Sequence, residues 1–153
     1  MNLFVTGANG YIGGNFIKKA SVKGFKIFAL TRKKKNKKIK NVKWLVGSID
    51  KNWKELKQTD ILIHLAAAGG YTRFSTFKKC YNFNVLKSKK LVENSFKNGC
   101  NKLLIISSKK EKKIKNLKIN KNQIKNYENK PDYIYALTKA IFSKFCLEFS
   151  KKK

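Results

Sequence analysis

Short apolar runs alternate with amphipathic stretches along most of this chain. Runs of about five mostly apolar residues are typical of strands buried in a parallel sheet, whereas apolar residues three or four apart indicate one face of a helix. On these patterns we predict strands over 2–6, 26–31, 42–46, 60–70 (with its following loop) and 103–108. Helices are predicted over 12–23, 53–56 and 80–98, and a last helix begins at Asp132 or Tyr133 and continues through Phe149.

The remaining segments are polar and predict irregular structure. The stretches 36–41 and 109–130 are rich in lysine and asparagine and are predicted to be solvated or poorly packed. The stretch 71–77 is polar and aromatic and is predicted to line the active-site cleft. Strand, helix and strand over 2–31 have the order of a βαβ unit.

The stretch Thr6–Gly14 forms the corner between the first predicted strand and the first predicted helix. Gly7 allows a sharp turn, Gly10 lets the backbone approach a pyrophosphate, and Gly13 lets the helix pack closely on the sheet. The free N–H groups at the helix start would then face the phosphate charge. We therefore predict a dinucleotide site, the alternative being a glycine-rich turn without a ligand.

Length and composition indicate one folded domain. The 153 residues are 42% hydrophobic, which argues against general disorder. We find no apolar run long enough for a membrane span and no signal-peptide pattern. Cys80, Cys100 and Cys146 have no metal-ligand spacing, so we expect reduced structural thiols, a cytoplasmic location and no bound metal.

The formal net charge of +29 raises the alternative of a basic polyanion-binding protein. Only Arg32 and Arg73 are arginines, whereas specific recognition of bases and phosphates favours the bidentate arginine side chain. The lysines are spread over the whole chain. We therefore expect no specific nucleic-acid binding, although the positive potential would attract anionic cofactors and substrates.

A Tyr-x-x-x-Lys pair, Tyr135 and Lys139, lies in the last predicted helix. Residues four apart share a helix face, so both side chains can reach one site. An ammonium beside a tyrosine favours the phenolate, which suits proton transfer to or from a substrate hydroxyl. Ser108, at the end of the fifth predicted strand, can hydrogen-bond the same substrate oxygen.

Several motifs follow one another in a specific order. They are Gly7-x-x-Gly10-x-x-Gly13 with Thr6 and Tyr11-Ile12, then His64-Leu65-Ala66-Ala67, Asn84-Val85 with Leu91, Ser107-Ser108, and Pro131-x-x-x-Tyr135-x-x-x-Lys139. Together they resemble the extended short-chain dehydrogenase/reductase family, which contains the NAD-dependent epimerases and dehydratases of nucleotide sugars. The resemblance covers essentially the whole chain. It implies an α/β fold, a Rossmann-like doubly wound parallel sheet of strand order 3-2-1-4-5.

The resemblance also implies roles for individual residues. Tyr135 would be the acid/base, Lys139 its electrostatic partner and a contact to the nicotinamide ribose, and Ser108 the hydroxyl that orients the substrate. The implied cofactor contacts are Gly7, Asn9, Gly10, Tyr11, Ile12, Gly13, Thr31, Arg32, Ser48, Ile49, Leu65, Ala66, Ala67, Asn84 and Lys139. We interpret His64 as a packed strand residue, because it has no catalytic or metal-binding partner nearby in sequence.

Cofactor choice depends on the end of the second predicted strand. A carboxylate there would accept from the ribose 2′-OH of NAD, whereas an arginine suits the 2′-phosphate of NADP. Thr31 and Arg32 occupy this place, and no carboxylate is present. We therefore expect NADP or NAD, with NADP favoured by Arg32.

The chain departs from the family pattern in three places. The acidic contacts to ribose and adenine are missing, Ser48 standing where an acid is usual, and Glu111-Lys112-Lys113 replaces the family's Val-Tyr-Gly. The sequence also stops soon after Tyr135 and Lys139, whereas family members continue into a C-terminal substrate domain. We therefore interpret 1–150 as the NAD(P)-binding Rossmann domain and 151–153 as a basic tail.

The function implied is that of the cofactor-binding and catalytic-triad portion of a nucleotide-sugar epimerase, dehydratase or 4-ketoreductase. A homodimer or a separately encoded C-terminal half would be its partner, and the isolated chain is expected to be weakly active or inactive. The alternative from another class is a non-catalytic or decayed dinucleotide-binding fragment.

Overall fold

The computed structural model describes residues 1–33, 38–69, 76–114 and 130–152. Most of the predicted loop 71–77 (with Arg73), most of the segment 109–130 and part of the loop 36–41 therefore lie outside the described residues. The chain divides into two compact units, one made of 1–66 with 90–106 and the other of 67–89 with 107–153.

The first unit contains a five-stranded sheet in which all neighbouring strands are parallel. The strands are β1 (Asn2–Thr6), β2 (Lys26–Thr31), β3 (Val42–Val46), β4 (Ile61–His64) and β5 (Lys102–Ile105). Their order is β3-β2-β1-β4-β5, which confirms the predicted Rossmann-like order. The central strand is β1, where Phe4 lies between Phe28 of β2 and Leu62 of β4.

The helices differ from their predicted bounds by a few residues. They are α1 (Tyr11–Val22), a 3₁₀ helix (Lys54–Gln58), α2 (Phe77–Tyr81), a π-helical segment (Asn82–Lys87), α3 (Ser88–Lys97), a 3₁₀ helix (Lys109–Lys113) and α4 (Pro131–Ser150). The helix predicted over 80–98 is thus interrupted by a π-helical segment. Apolar periodicity did not predict this segment, because it spans little more than one turn and the apolar positions before and after it each fit a helix.

The core of the first unit lies on both faces of β1. Leu3 and Val5 pack with Ile17 and Ala20 of α1 in one buried cluster. Phe4 points to the opposite face because successive strand side chains alternate, and its ring centroid lies 6.5 Å from that of Trp53. Each fully buried aliphatic or aromatic side chain of this kind contributes about 1.5–3 kcal/mol relative to an exposed one.

The fifth strand corrects one prediction. A buried strand was predicted over 103–108, but β5 spans Lys102–Ile105 and is only half buried, with Leu104 46% exposed. The physical reason is its place at the edge of the sheet, where β4 is its single partner among the described strands. An apolar run therefore indicated a strand correctly but overstated its burial and its length.

The second unit is built on α4, against which α2, the π-helical segment and the 3₁₀ helix Lys109–Lys113 pack. Pro131 occupies the first turn of α4, where its missing N–H leaves no hydrogen bond unmade. The helix therefore begins slightly earlier than predicted. Ile134, Phe142 and Cys146 form part of its buried side.

Two leucines on neighbouring strands test this account of the sheet. Leu62→Ala is expected to lower the free energy of unfolding by about 2–5 kcal/mol, because a fully buried side chain is replaced by a cavity. Leu104→Ala on the half-exposed edge is the matched control and should cost less than about 1 kcal/mol. Urea unfolding followed by circular dichroism measures both. Equal losses would contradict the half-exposed position of β5.

Candidate functional site

The glycine loop brings backbone segments of β1, α1 and the end of β4 into direct contact. Gly7 has a φ of 68°, and a Cβ at this position would lie 2.8 Å from the backbone nitrogen of Ala66. Glycine is therefore required both for the left-handed conformation and for the close approach. The N–H of Gly10 donates to the carbonyl of Gly7 at 2.9 Å, which closes the turn before α1 begins.

Gly13 shows the same constraint one helical turn later. A Cβ there would lie 2.3 Å from the carbonyl oxygen of Gly7, so α1 can lie this close to the loop only without a side chain. No side chain caps the N-terminus of α1, and the first turn contains no acidic residue. Tyr11 and Ile12 are exposed. This arrangement fits a pyrophosphate at the helix start, where backbone N–H groups and the helix dipole favour an anion.

The end of β2 is tied to the glycine loop by side chains. The Asn9 amide Nδ2 donates to Thr31 Oγ1 at 2.5 Å, and the Thr31 hydroxyl donates to the carbonyl of Lys33 at 2.9 Å. Thr31 is buried, whereas Arg32 is exposed. Thr31 therefore shapes the turn, and Arg32 is the side chain of this pair that solvent, or a ligand, can reach.

At the end of β3 the structure adds an acidic residue that the motif comparison did not consider. The hydroxyl of Ser48 hydrogen-bonds the carboxylate of Asp50, and the Ser48 carbonyl accepts from the indole N–H of Trp53 at 3.1 Å. Ile49, which stands between Ser48 and Asp50 in the sequence, is buried. An acidic group is thus held next to Ser48, two residues beyond the position where the family pattern predicts it.

His64 is enclosed in a buried hydrogen-bonded group at the end of β4. Its Nδ1 lies 2.7 Å from Thr6 Oγ1, which also accepts from the backbone N–H of Ala66 at 3.2 Å. His64 is 2% exposed. These contacts agree with its interpretation as a packed strand residue. Leu65 and Ala66 are half-buried, and Ala67 is exposed.

In the second unit, Asn84 makes hydrogen bonds with all its polar groups. Its Oδ1 accepts from the N–H of Ala68 at 2.7 Å, and its Nδ2 donates to the carbonyl of Ala68 at 2.9 Å and to Thr138 Oγ1 at 3.0 Å. The π-helical segment carries Asn84 with its side chain buried. The amide therefore fixes the loop after β4 and α4 relative to the π-helical segment.

Thr138 was missed in the sequence because it lies between the two residues that carry the Tyr-x-x-x-Lys signal. It is fully buried, and its hydroxyl donates to the carbonyl of Ile134 at 3.0 Å while accepting from Asn84. A single threonine on an apolar helix does not indicate in the sequence that its hydroxyl will accept a hydrogen bond from another segment. Its role is set by the neighbouring helix rather than by spacing.

The three predicted catalytic residues all lie in the second unit. Tyr135 and Lys139 lie on α4, and Ser108 is the N-cap of the 3₁₀ helix that packs against α4. Lys139 is 5% exposed, and burial lowers its pKa below the ordinary lysine value, while the charge of Glu111 acts in the opposite direction. The Ser108 Oγ accepts from the N–H of Lys110 at 3.3 Å.

The cysteines form no cluster. Cys80, Cys100 and Cys146 form no disulfide, and all three are buried. Burial raises the pKa of Cys100, and it raises the pKa of Cys146 to about 12, so both thiols stay protonated at neutral pH. The described part of the chain contains no group of three histidine, cysteine or acidic side chains placed to hold a metal. Among the described helices, none is long and apolar enough to cross a membrane.

A family model of NAD dependent epimerases and dehydratases matches residues 3–153 of this sequence. The chain belongs to the NAD dependent epimerase/dehydratase family. Membership confirms the resemblance predicted from the motifs. None of the curated proteins matches the sequence.

Solved structures of this epimerase/dehydratase type share the fold. Yeast methylglyoxal/isovaleraldehyde reductase Gre2, complexed with NADPH, is 17% identical with a TM-score of 0.77, over 99% of this chain and 53% of that one. UDP-glucose 4-epimerase of Thermotoga maritima, with UDP-glucose, is 19% identical with a TM-score of 0.72, over 99% and 52%. MoeE5, in complex with UDP-glucose and NAD, is 21% identical with a TM-score of 0.75, over 98% and 49%. The chain thus spans about half the length of these proteins.

Two adjacent glycines test the close approach of α1 to its loop. Gly13→Ala is expected to lower the free energy of unfolding by about 1–3 kcal/mol, because its Cβ would meet backbone atoms that cannot move freely. Gly14→Ala is the control: its Cβ would make an ordinary contact, 3.8 Å from the Ala8 carbonyl, and should stabilise the helix by about 0.5–1 kcal/mol. Thermal and urea unfolding measure both. A Gly13→Ala variant as stable as the parent would disprove the contact.

Proposed function

We propose that this chain is the cofactor-binding and acid/base portion of an NAD(P)-dependent enzyme that acts on nucleotide sugars, as an epimerase, dehydratase or 4-ketoreductase. The observation that carries the proposal is the burial of Lys139, one helical turn after Tyr135. Burying a lysine ammonium is costly unless its charge is paired, and most lysines among the described residues are exposed. A cytoplasmic location, and a homodimer or a separately encoded second half as partner, belong to the same proposal.

The first unit supplies the features of a dinucleotide site. Gly7 and Gly13 leave a backbone corner without side chains, and the N-terminus of α1 follows it. Gly10, Asn9, Tyr11, Ile12, Thr31, Ser48, Ile49, Leu65, Ala66 and Ala67 remain the proposed cofactor contacts of the loop and the strand ends. Gre2 was solved with NADPH, and MoeE5 with NAD, which supports a nicotinamide dinucleotide without deciding between the two.

The second unit supplies the proposed acid/base chemistry. A protonated Lys139 favours the phenolate form of Tyr135, which then exchanges a proton with a substrate hydroxyl, while Ser108 hydrogen-bonds the same oxygen. A bound nicotinamide would supply the hydride acceptor or donor. Because burial lowers the pKa of Lys139, its charge is lost at a lower pH than that of an exposed lysine. Activity should therefore decline on the alkaline side as Lys139 deprotonates.

The substrate class rests on the family and on two neighbours. The Thermotoga epimerase and MoeE5 were each solved with UDP-glucose, and the net charge of +29 would attract a nucleotide diphosphate sugar. Gre2 is a reductase of small aldehydes, so the fold alone does not select a nucleotide sugar. The alternative is a non-catalytic dinucleotide-binding module, which the turnover measurement below distinguishes from an enzyme.

Cofactor titration tests the site in the first unit. Calorimetry should show that the parent binds both NADPH and NADH, with NADPH the tighter ligand because Arg32 is exposed at the end of β2. Gly10→Val places a branched side chain at the helix start and should weaken binding of both by about tenfold or more, equivalent to about 1.4 kcal/mol. Equal affinity of variant and parent would rule out the assigned site.

The same titration tests the role of Arg32. Arg32→Asp should reverse the preference toward NADH, because the carboxylate can accept from the ribose 2′-OH and repels a 2′-phosphate. Lys33→Asp is the control for a general loss of positive charge and should leave the order of the two affinities unchanged. A parent that binds NADH more tightly than NADPH would refute the preference.

Turnover distinguishes an enzyme from a binding module. Nicotinamide absorbance is followed with a panel of nucleotide sugars and their 4-keto forms, using the chain alone and with any separately encoded second half. Tyr135→Phe should lower the observed rate by about 10²–10⁴-fold, the usual contribution of a general acid/base group. Tyr133→Phe removes the same hydroxyl two residues earlier and should have little effect. A fully active Tyr135→Phe variant would contradict the proposed acid/base role.

A further inference from the structure

An acidic side chain lies in an unexpected place directly after Ser108. The 3₁₀ helix Lys109–Lys113 has the sequence Lys-Lys-Glu-Lys-Lys, so Glu111 is flanked by lysines on both sides. The whole chain has 8 acidic residues against 37 basic ones. A carboxylate between four lysines is therefore unusual in this chain, and its contacts indicate what it does.

Glu111 fixes the backbone of Ser108. The Ser108 N–H donates to Glu111 Oε1 at 2.9 Å, and the Ser108 side chain in turn accepts from the start of the 3₁₀ helix, which forms a capping box. Lys110 Nζ lies 2.7 Å from Asp132 Oδ1 in the first turn of α4. The 3₁₀ helix that carries Glu111 thus packs against α4, which carries the other two proposed catalytic residues, and the Lys110–Asp132 ion pair joins the two helices.

Glu111 also provides the negative charge that acts on Lys139. Within the described residues, the groups whose charge raises the pKa of Lys139 are Glu111 and the thiol of Cys146. The pKa of Cys146 is about 12 because of burial, so this thiol is neutral at ordinary pH. Lys89, whose ammonium lies 4.7 Å from the Phe145 ring centre, is a further cation whose charge acts on Cys146. Among the described residues, Glu111 is therefore the anion whose charge opposes the cost of burying the Lys139 ammonium.

We propose that Glu111 is a positioning residue of this site: its carboxylate fixes the backbone of Ser108 and at the same time serves as the counter-charge of the buried Lys139. The assignment of a role in catalysis rests on the proposed function of Ser108 and Lys139, but the hydrogen bond of Glu111 to Ser108 and the effect of its charge on Lys139 do not. The segment Glu111-Lys112-Lys113 stands where the family pattern has Val-Tyr-Gly, so this role belongs to this chain's own sequence. The alternative is a helix-capping residue alone.

The charge and the capping contact can be separated by substitution. Glu111→Gln keeps an oxygen that accepts from the Ser108 N–H but removes the negative charge, so it tests the counter-charge alone. Glu111→Asp keeps the charge on a shorter side chain. Glu148→Gln is the matched control, because it removes an exposed carboxylate from the same unit, 3.8 Å from the Lys144 ammonium.

The readout is the protonation of Lys139, which needs neither cofactor nor turnover. The chain is labelled with ¹³C at the lysine ε-carbon, and each titration is followed by NMR, with Lys139→Met used to assign the Lys139 signal. In Glu111→Gln the midpoint of Lys139 should move to lower pH, because burial is then opposed by less negative charge. In Glu111→Asp it should lie between the parent and Glu111→Gln, and in Glu148→Gln it should stay near the parent.

An unchanged midpoint in Glu111→Gln, or a change no larger than that in Glu148→Gln, would overturn the proposal and leave Glu111 as a capping residue. Should Glu111→Gln fail to fold, the double variant Glu111→Gln/Lys139→Met decides. Folding of the double variant would support the counter-charge, since no buried ammonium is left unpaired, and its unfolding would overturn it. A shifted midpoint without any turnover would uphold the role of Glu111 while rejecting the enzymatic function.

Discussion

The first unit depends on a contact between backbone segments in which no side chain intervenes. The start of α1 lies so close to the end of β1 that the place of a Cβ on Gly13 is occupied by the carbonyl of Gly7, and that on Gly7 by the backbone of Ala66. Because β1 is the central strand, this corner sets where α1, β1 and β4 meet. It also leaves the first N–H groups of α1 without side-chain caps, and such groups at a helix start are suited to an anion.

Much of this arrangement can be read from the sequence, for reasons that are local. The strands β1 to β4 are short apolar runs, and the turn residues between them are glycines and polar residues whose conformational preferences act without help from the rest of the fold. The burial of a strand residue depends less on its local sequence. Leu104 and Leu62 have similar apolar neighbours in sequence, yet one lies at an edge and the other in the middle of the sheet, which only the strand order decides.

The polar interior of the second unit could not be predicted in the same way. Asn84 was noticed through a motif, but its partners Ala68 and Thr138 come from different parts of the chain. The same holds for Glu111 beside Ser108 and for Asp50 beside Ser48. Residues of these types are common in surface loops, so composition and spacing favour a solvated position for each. Only the folded chain shows that these side chains form hydrogen bonds with other groups of the protein.

The π-helical segment at 82–87 changes the direction of the side chains along the helical stretch between β4 and β5. Each residue of an α-helix advances the chain by about 100° around its axis, so one extra residue in a turn rotates everything after it by about that angle. Asn84 lies inside the wide turn, where its side chain is buried and hydrogen-bonded to Ala68 and Thr138. A one-residue deletion that restored regular α-helix would remove this rotation and change the direction of the side chains in the turn. The wide turn and the hydrogen bonds of the buried amide therefore depend on one another.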